Sequence, residues 1–130
     1  MGARTSLRTR GFPAQTISTA GGAVTIPVRR GASGDVLITI TTTNEVNTAS
    51  LQMAVNGYSG LGASVAYVAS LTAAVTTNST THYLFGASSA TEEGPITEAF
   101  LNRLPENFDI VLTVTGASAS FDVAVGVAFL

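Results

Sequence analysis

The chain has 130 residues, enough for one domain with its own hydrophobic core. It contains no cysteine, so a disulfide framework and a thiolate metal site are excluded. Charged residues make up 11% of the chain, compared with about 25% in an ordinary soluble domain. Its 19 threonines and 12 serines keep it polar instead, which suits either a subunit packed beside other subunits or any threonine-rich β-sandwich.

The charge is unevenly distributed. Residues 1–30 carry five arginines and no acid, a charge of +5, whereas residues 31–130 carry one arginine and eight acids, a charge of −7, which gives the net −2. A basic segment before an acidic body is typical of an interaction tail. Lysine, the usual guard of an exposed strand edge, is absent. Its absence favours edges covered by partners, although genomic composition bias explains it equally well.

Residues 1–12 (MGARTSLRTRGF) show no strand alternation and are predicted to form an extended arm that is disordered when free. The ordered domain is then expected to cover residues 13–130. The arm is either a merely flexible terminus or a partner-binding segment acting through Arg4, Arg8, Arg10 and Phe12. Three arginines do not by themselves hold DNA at physiological salt, and no apolar run is long enough to span a membrane. Neither nucleic acid nor membrane is therefore an expected partner.

The first strands of the domain are predicted on either side of a glycine turn. Residues 15–18 form a weak strand, and residues 23–28 form a clearer one with three apolar side chains on one face. Pro27 has no N–H to donate to a ladder, so this second strand is expected to lie at a sheet edge or to stop at Pro27. The loop that follows begins with Arg29 and Arg30, which we add to the candidate partner-binding residues.

Four further segments alternate with a period of two, which indicates half-buried strands. The first, residues 35–43, has Val36, Ile38 and Ile40 on its inward face. The other three cover residues 51–56, 65–71 and 81–85.

Residues 87–105 are harder to assign. Ile96, Phe100, Leu101 and Leu104 have the spacing of one or two helical turns that end at Pro105. A covered loop or an irregular strand fits the same residues. We favour the short helix.

The last stretch of the chain has the strongest pattern. Residues 107–115 and 121–129 both alternate, and four small residues, 116–119, separate them. This arrangement predicts an antiparallel hairpin whose apolar face must be covered by another layer. With about eight strands, regular turn signals and no long helix, the fold class is all-β, an antiparallel β-sandwich or jelly-roll-like domain.

No pattern of catalytic residues is evident. The single histidine, His82, lies in a predicted strand without a neighbouring acid, which is typical of a structural histidine. Glu92, Glu93, Glu98 and Glu106 lie in the loop-like region, and solvated loop charge explains them better than a carboxylate pair. No calcium loop, phosphate-binding loop or dinucleotide fingerprint is present. We therefore expect no enzymatic activity, cofactor or metal.

The order of elements in the second half resembles that of small β-sandwich structural proteins of tailed bacteriophages. The resemblance covers roughly residues 36–130 and is carried by residue types: the strand ASLQMAVNG, a Leu104-Pro105 pair, the strand FDIVLTVTG and the closing SFDVAV. Relatives often have an arginine after the Leu-Pro pair, where this chain has Asn107 and Phe108, with Arg103 before the pair.

This resemblance implies a capsid decoration (cement) protein on the surface of the virion. Its partners would be the major capsid protein and further copies of the chain, most simply in a trimer, with residues 1–12 fastening it to the capsid. The alternatives are a phage tail or neck protein and a carbohydrate- or cell-surface-binding module.

Overall fold

The computed structural model describes residues 8–29, 35–58, 64–66, 74–86, 96–100, 104–105 and 107–129. The described residues contain no helix, so the all-β fold class is confirmed. They form nine strands: β1 (Arg8–Ser18), β2 (Val24–Arg29), β3 (Val36–Val46), β4 (Ser50–Tyr58), β5 (Ser64–Ala66), β6 (Thr80–Phe85), β7 (Glu98–Phe100), β8 (Asn107–Thr115) and β9 (Ser120–Phe129).

The strands form two sheets. The larger sheet has the order β1-β9-β3-β6-β7 and the smaller sheet has the order β2-β8-β4-β5. All neighbours are antiparallel except β6 and β7, which are parallel. The edge position predicted for the strand with Pro27 is confirmed, because β2 is the first strand of the smaller sheet.

A single hydrophobic core lies between the sheets, because each sheet buries every second side chain of its central strands. The inward faces predicted for the strands after residues 35 and 50 are confirmed. The buried side chains there are Val36, Ile38 and Ile40 of the larger sheet and Leu51, Met53 and Val55 of the smaller one. Four aromatic side chains, Tyr83, Phe85, Phe108 and Phe121, are at most 1% exposed.

The predicted C-terminal hairpin is wrong. β8 pairs with β2 and β4, whereas β9 pairs with β1 and β3, so the two strands belong to different sheets. Residues 116–119 carry the chain from one sheet to the other. The physical reason is burial. When β8 and β9 face each other, both apolar faces meet across the core, whereas a hairpin would place both on one side and require another layer to cover them.

Three connections that carry the chain from one sheet to the other in this way lie side by side, and we call them arches. They join β1 to β2, β8 to β9 and β3 to β4, and the strand order β1-β9-β3 in one sheet matches β2-β8-β4 in the other. Neighbouring arches are hydrogen-bonded together. The Thr19 amide donates to the Ala119 carbonyl at 3.0 Å, and the Asn47 side-chain amide donates to the Ser118 carbonyl at 2.9 Å.

A fourth reversal adjoins this row. Val75 forms an isolated bridge with Leu51 of the smaller sheet, and five residues later the chain enters β6 of the larger sheet. Thr42, which is 2% exposed, holds this reversal: its hydroxyl donates to the Thr77 carbonyl at 2.9 Å and accepts from the Ser79 amide at 3.0 Å.

The bends require unusual backbone conformations and small side chains. Asn47, Thr48 and Ser118 have φ values of 58°, 56° and 52°, and Gly116 has a φ of 127°. Alanines lie beneath two of the arches: Ala49 is 0% exposed and Ala119 is 1% exposed. A larger side chain at either position would enter the closed end of the core.

The structure corrects the predicted arm and the predicted helix. Residues 8–12 are not a free arm but the first half of β1, because β9 extends to Phe129 and offers them a pairing edge. Residues 1–7 lie outside the described residues. Instead of a helix, residues 98–100 form β7, where Phe100 stacks on Phe85 with ring centroids 4.6 Å apart. Within the predicted strand 65–71, only residues 65–66 are described, and they belong to β5.

A substitution at Gly116 tests the arch. A Cβ there would lie 2.9 Å from the Cβ of Ala119 and 3.2 Å from the Thr48 carbonyl oxygen. We expect Gly116→Ala to lower the free energy of unfolding by about 1–3 kcal/mol. Gly126→Ala is the matched control, because its Cβ would make only an ordinary contact at 3.9 Å with Thr39 and such changes are neutral or stabilising by about 0.4–1 kcal/mol. Equal urea unfolding midpoints for the two variants would contradict this account.

Candidate functional site

The candidate partner-binding residues lie on β1, at one edge of the larger sheet. Arg10 is exposed, and its pairing with Val127 places it on the core-facing side of the sheet, at the rim. Phe12 lies on the same side, opposite Val125, and packs half-buried against the core. Arg8 is the first residue of β1, and Arg4 lies outside the described residues.

β1 is a long strand with one described neighbour. Nine of its eleven residues pair with β9, and the pairing is interrupted between Phe12 and Gln15, where the register shifts. Pro13 lies in this interruption and has no N–H to offer. The segment available for regular pairing with a further strand is therefore residues 8–12.

Arg29 lies apart from this edge. Its guanidinium donates to the Phe108 carbonyl at 3.0 Å and forms an ion pair with Asp109 at 3.3 Å. Asp109 is 7% exposed, so the pair is half-buried and holds β2 against β8. This contact gives Arg29 a structural role, and its binding to a partner stays a prediction. Arg30 lies outside the described residues.

The opposite edge of the larger sheet is β7, which lies in the stretch where the residue spacing favoured a short helix over an irregular strand. Its register with β6 places Glu98 beside Tyr83 and Phe100 beside Phe85, on the core-facing side. Glu98 also borders an open cleft of about 230 Å³. The other lining residues that contribute hydroxyl groups are Thr76, Thr77, Ser79, Thr81, Tyr83 and Thr97.

A polar cluster joins three strands on the outer face of the larger sheet. The Asp122 carboxylate of β9 accepts from the Asn44 side-chain amide of β3 at 2.8 Å and from the Thr16 hydroxyl of β1 at 2.7 Å. These two bonds, that of Asn44 first, lower the pKa of Asp122 below its ordinary value of 3.8. The cluster fastens β1 to the rest of the sheet.

His82 lies on the same outer face. Its Nδ1 is 2.9 Å from the Thr39 hydroxyl of β3, and its backbone amide donates to the Thr97 hydroxyl at 3.0 Å. These bonds link β6 to the strands on either side, in agreement with a structural role.

The described part of the chain has neither a metal-binding cluster nor a membrane-spanning helix. It holds no group of three or more histidine, cysteine, aspartate or glutamate side chains that could bind a metal ion. It also contains no helix with the length and apolar character needed to cross a membrane. What the arrangement does offer is two strand edges and a low-charge sheet face, which are features of an interaction surface.

Comparison with known proteins adds no relative: the chain matches no protein-family model, no curated protein and no solved structure.

The Asp122 cluster predicts a specific acid response. Because folding lowers the pKa of this carboxyl, its contribution to stability is present above pH 3.8 and is lost as the pH falls below that value, through the folded-state pKa. Asn44→Ala removes the bond that contributes most to the lowered pKa of Asp122 and should raise that pKa towards 3.8, as measured by NMR titration of its carboxyl carbon. Asn78→Ala is the matched control, because Asn78 accepts from the Glu45 amide instead. An unchanged pKa in Asn44→Ala would contradict the assignment.

Proposed function

We propose that the chain is a structural protein of a tailed bacteriophage, a capsid decoration (cement) protein with a β-sandwich domain that binds the outside of the head and stabilises the joints between subunits. One observation carries this proposal: the outer face of the larger sheet is nearly free of charge. Across its outward-facing ladder positions, from β1 to β7, Asp122 is the only aspartate, glutamate, lysine or arginine in the described part of the chain.

Threonine, alanine, glycine and leucine occupy most of those positions, as in the row formed by Thr9, Ala128, Leu37 and Leu84. An exposed face of this kind is unusual for a solitary domain, because the surfaces of soluble domains are typically about 25–35% charged. Charged residues are depleted in the centres of protein interfaces, since each buried charge must be desolvated. A face with so little charge therefore suits burial against other subunits.

The basic residues near the start of the chain supply the second contact. Arg8 is the first residue of β1, and Arg4 precedes it in the sequence. Charge-assisted hydrogen bonds from these two arginines to an acidic surface of the major capsid protein would fasten the domain in one orientation. A tail or neck protein would use the same two contacts, but it would be present in fewer copies per particle than a decoration protein.

A second candidate function is binding of carbohydrate or of a cell surface. The cleft beside Glu98 supports it, because six hydroxyl-bearing side chains and a carboxylate converge on about 230 Å³. Such groups hydrogen-bond a sugar ring well. Saturable quenching of tyrosine fluorescence by a glycan would favour this candidate.

The decisive measurement is the copy number of the chain in purified phage particles of its source, relative to the major shell protein. Decoration predicts a copy number per particle of the same order as the number of capsid joints, whereas a tail or neck protein is present in only a few copies. Absence from the particles would overturn the virion proposal.

Deletion of residues 1–7 tests the fastening. The deletion spares β1, so the urea unfolding midpoint should stay unchanged while binding to undecorated heads weakens. Full-length Arg4→Ala is the matched variant, because it keeps the segment's length and removes one charge. If neither variant binds more weakly than the wild type, these residues do not fasten the protein.

A further inference from the structure

The two edges of the larger sheet carry matching pairs of side chains. On β1, Arg10 and Phe12 are two residues apart, and on β7, Glu98 and Phe100 are two residues apart. The ladder registers place all four on the core-facing side of the same sheet. Each edge thus presents one charge and one phenylalanine on the same face, and the charges are opposite.

Both phenylalanines are incompletely covered. Phe12 and Phe100 are partly buried and pack against the margin of the core rather than inside it. The Arg10 side chain is exposed, and its guanidinium makes no hydrogen bond or ion pair within the described part of the chain. Glu98 already has an interaction within its own chain, but a carboxylate offers about four acceptor sites and can take a further donor.

We propose that the larger sheet continues from one copy of the chain into the next, with residues 8–10 of one copy lying antiparallel to residues 98–100 of its neighbour. In this register Arg10 lies opposite Glu98 of the second copy, and Thr9 lies opposite Ala99. Backbone hydrogen bonds between the two edges supply the affinity, and the cross-strand side-chain pairs select the partner edge.

The direction of the pairing follows from the topology. Along the larger sheet, β1, β9, β3 and β6 alternate in direction, and β7 runs parallel to β6. β7 is therefore antiparallel to β1, so a neighbour in the same orientation brings its β1 antiparallel to this β7. The interruption at Pro13 limits regular pairing along this part of β1 to residues 8–12, and β7 has three residues, so the junction joins three residues of each copy.

The interface is heterologous, since β1 of each copy meets β7 of another. Each copy is rotated relative to the previous one about an axis along the strands. If that rotation returns to the first copy after a whole number of copies, the interface builds a ring, and otherwise it builds a filament. A trimeric ring is one closed solution. This inference deepens the proposed function by naming the surface through which copies join, and it rests on that function only for the expectation of a homo-oligomer.

Charge reversal tests the junction. Light scattering on a sizing column should show that the purified wild-type chain self-associates and that Arg10→Glu and Glu98→Arg each weaken association by about tenfold or more, equivalent to about 1.4 kcal/mol per tenfold. The double variant Arg10→Glu/Glu98→Arg should restore it. An equimolar mixture of the two single variants should also associate, because every mixed junction then pairs opposite charges. Glu45→Arg, on a central strand, is the charge-matched control and should associate like the wild type.

A cysteine pair provides a test that does not depend on charge. In the proposed register Thr9 lies opposite Ala99 of the neighbour, and the chain has no native cysteine. Under oxidation, Thr9→Cys/Ala99→Cys should give a ladder of covalent oligomers, whereas each single variant should not, since a head-to-tail junction never brings two copies of one position together.

Three results would overturn the proposal: a monomeric wild type at every soluble concentration, a double charge variant no better than the single variants, or no covalent ladder. Circular dichroism of each variant checks that the fold is intact. The outcomes of these association tests can be distinguished from those of the copy-number measurement in phage particles. A monomer that still decorates particles rejects this interface alone, and an oligomer that is absent from particles rejects the virion function alone.

Discussion

The fold depends on chain reversals that cross between the two sheets. Each arch needs small residues at its inner side, and the near-complete burial of Ala49 and Ala119 shows how little space the closed end leaves. Because consecutive strands lie in different sheets, their in-sheet partners come from elsewhere in the chain: β1 pairs with β9, from Arg8 beside Phe129 to Ser18 beside Ser120. Such distant pairing requires loop closure before most contacts form, which is typical of slow-folding β proteins.

This topology also determines which surfaces remain for partners. The arches close one end of the two sheets, and β1 and β7 become the edges of the larger sheet. The Asp122 cluster fixes β1 to its neighbours from outside, and Phe12 does so from the core side. An edge strand held on both faces is a rigid template. Because the outer face of the larger sheet carries little charge, removing water from that face costs little free energy.

The local pattern predicted the strands well and their partners poorly. Pro27 correctly indicated an edge strand, and the inward faces of β3 and β4 followed from their alternation. The prediction of a C-terminal hairpin was wrong because strands that pair within one sheet and strands that face each other across the core show the same alternation. A usable signal was present in residues 116–119: they lack the Asn-Gly or Asp-Gly pair of a tight hairpin, and they contain two alanines, one of which the core covers. Arg10 and Phe12, which the sequence singled out, lie at a sheet edge, and their binding to a partner stays a prediction, whereas Glu98 and Phe100 were assigned to a loop and a helix.

By itself the sequence determined the fold class, the strands with strong alternation, the absence of disulfides and the basic character of the first thirty residues. Those properties depend on composition and on neighbours along the chain, which the sequence contains directly. Only the tertiary structure decided that β8 and β9 face each other, that residues 8–12 extend β1, and that Glu98 and Phe100 lie on the opposite edge. Each of these depends on which distant strand offers a free edge or an uncovered apolar face. A period of two reports which face of a strand is buried, but not the strand that buries it.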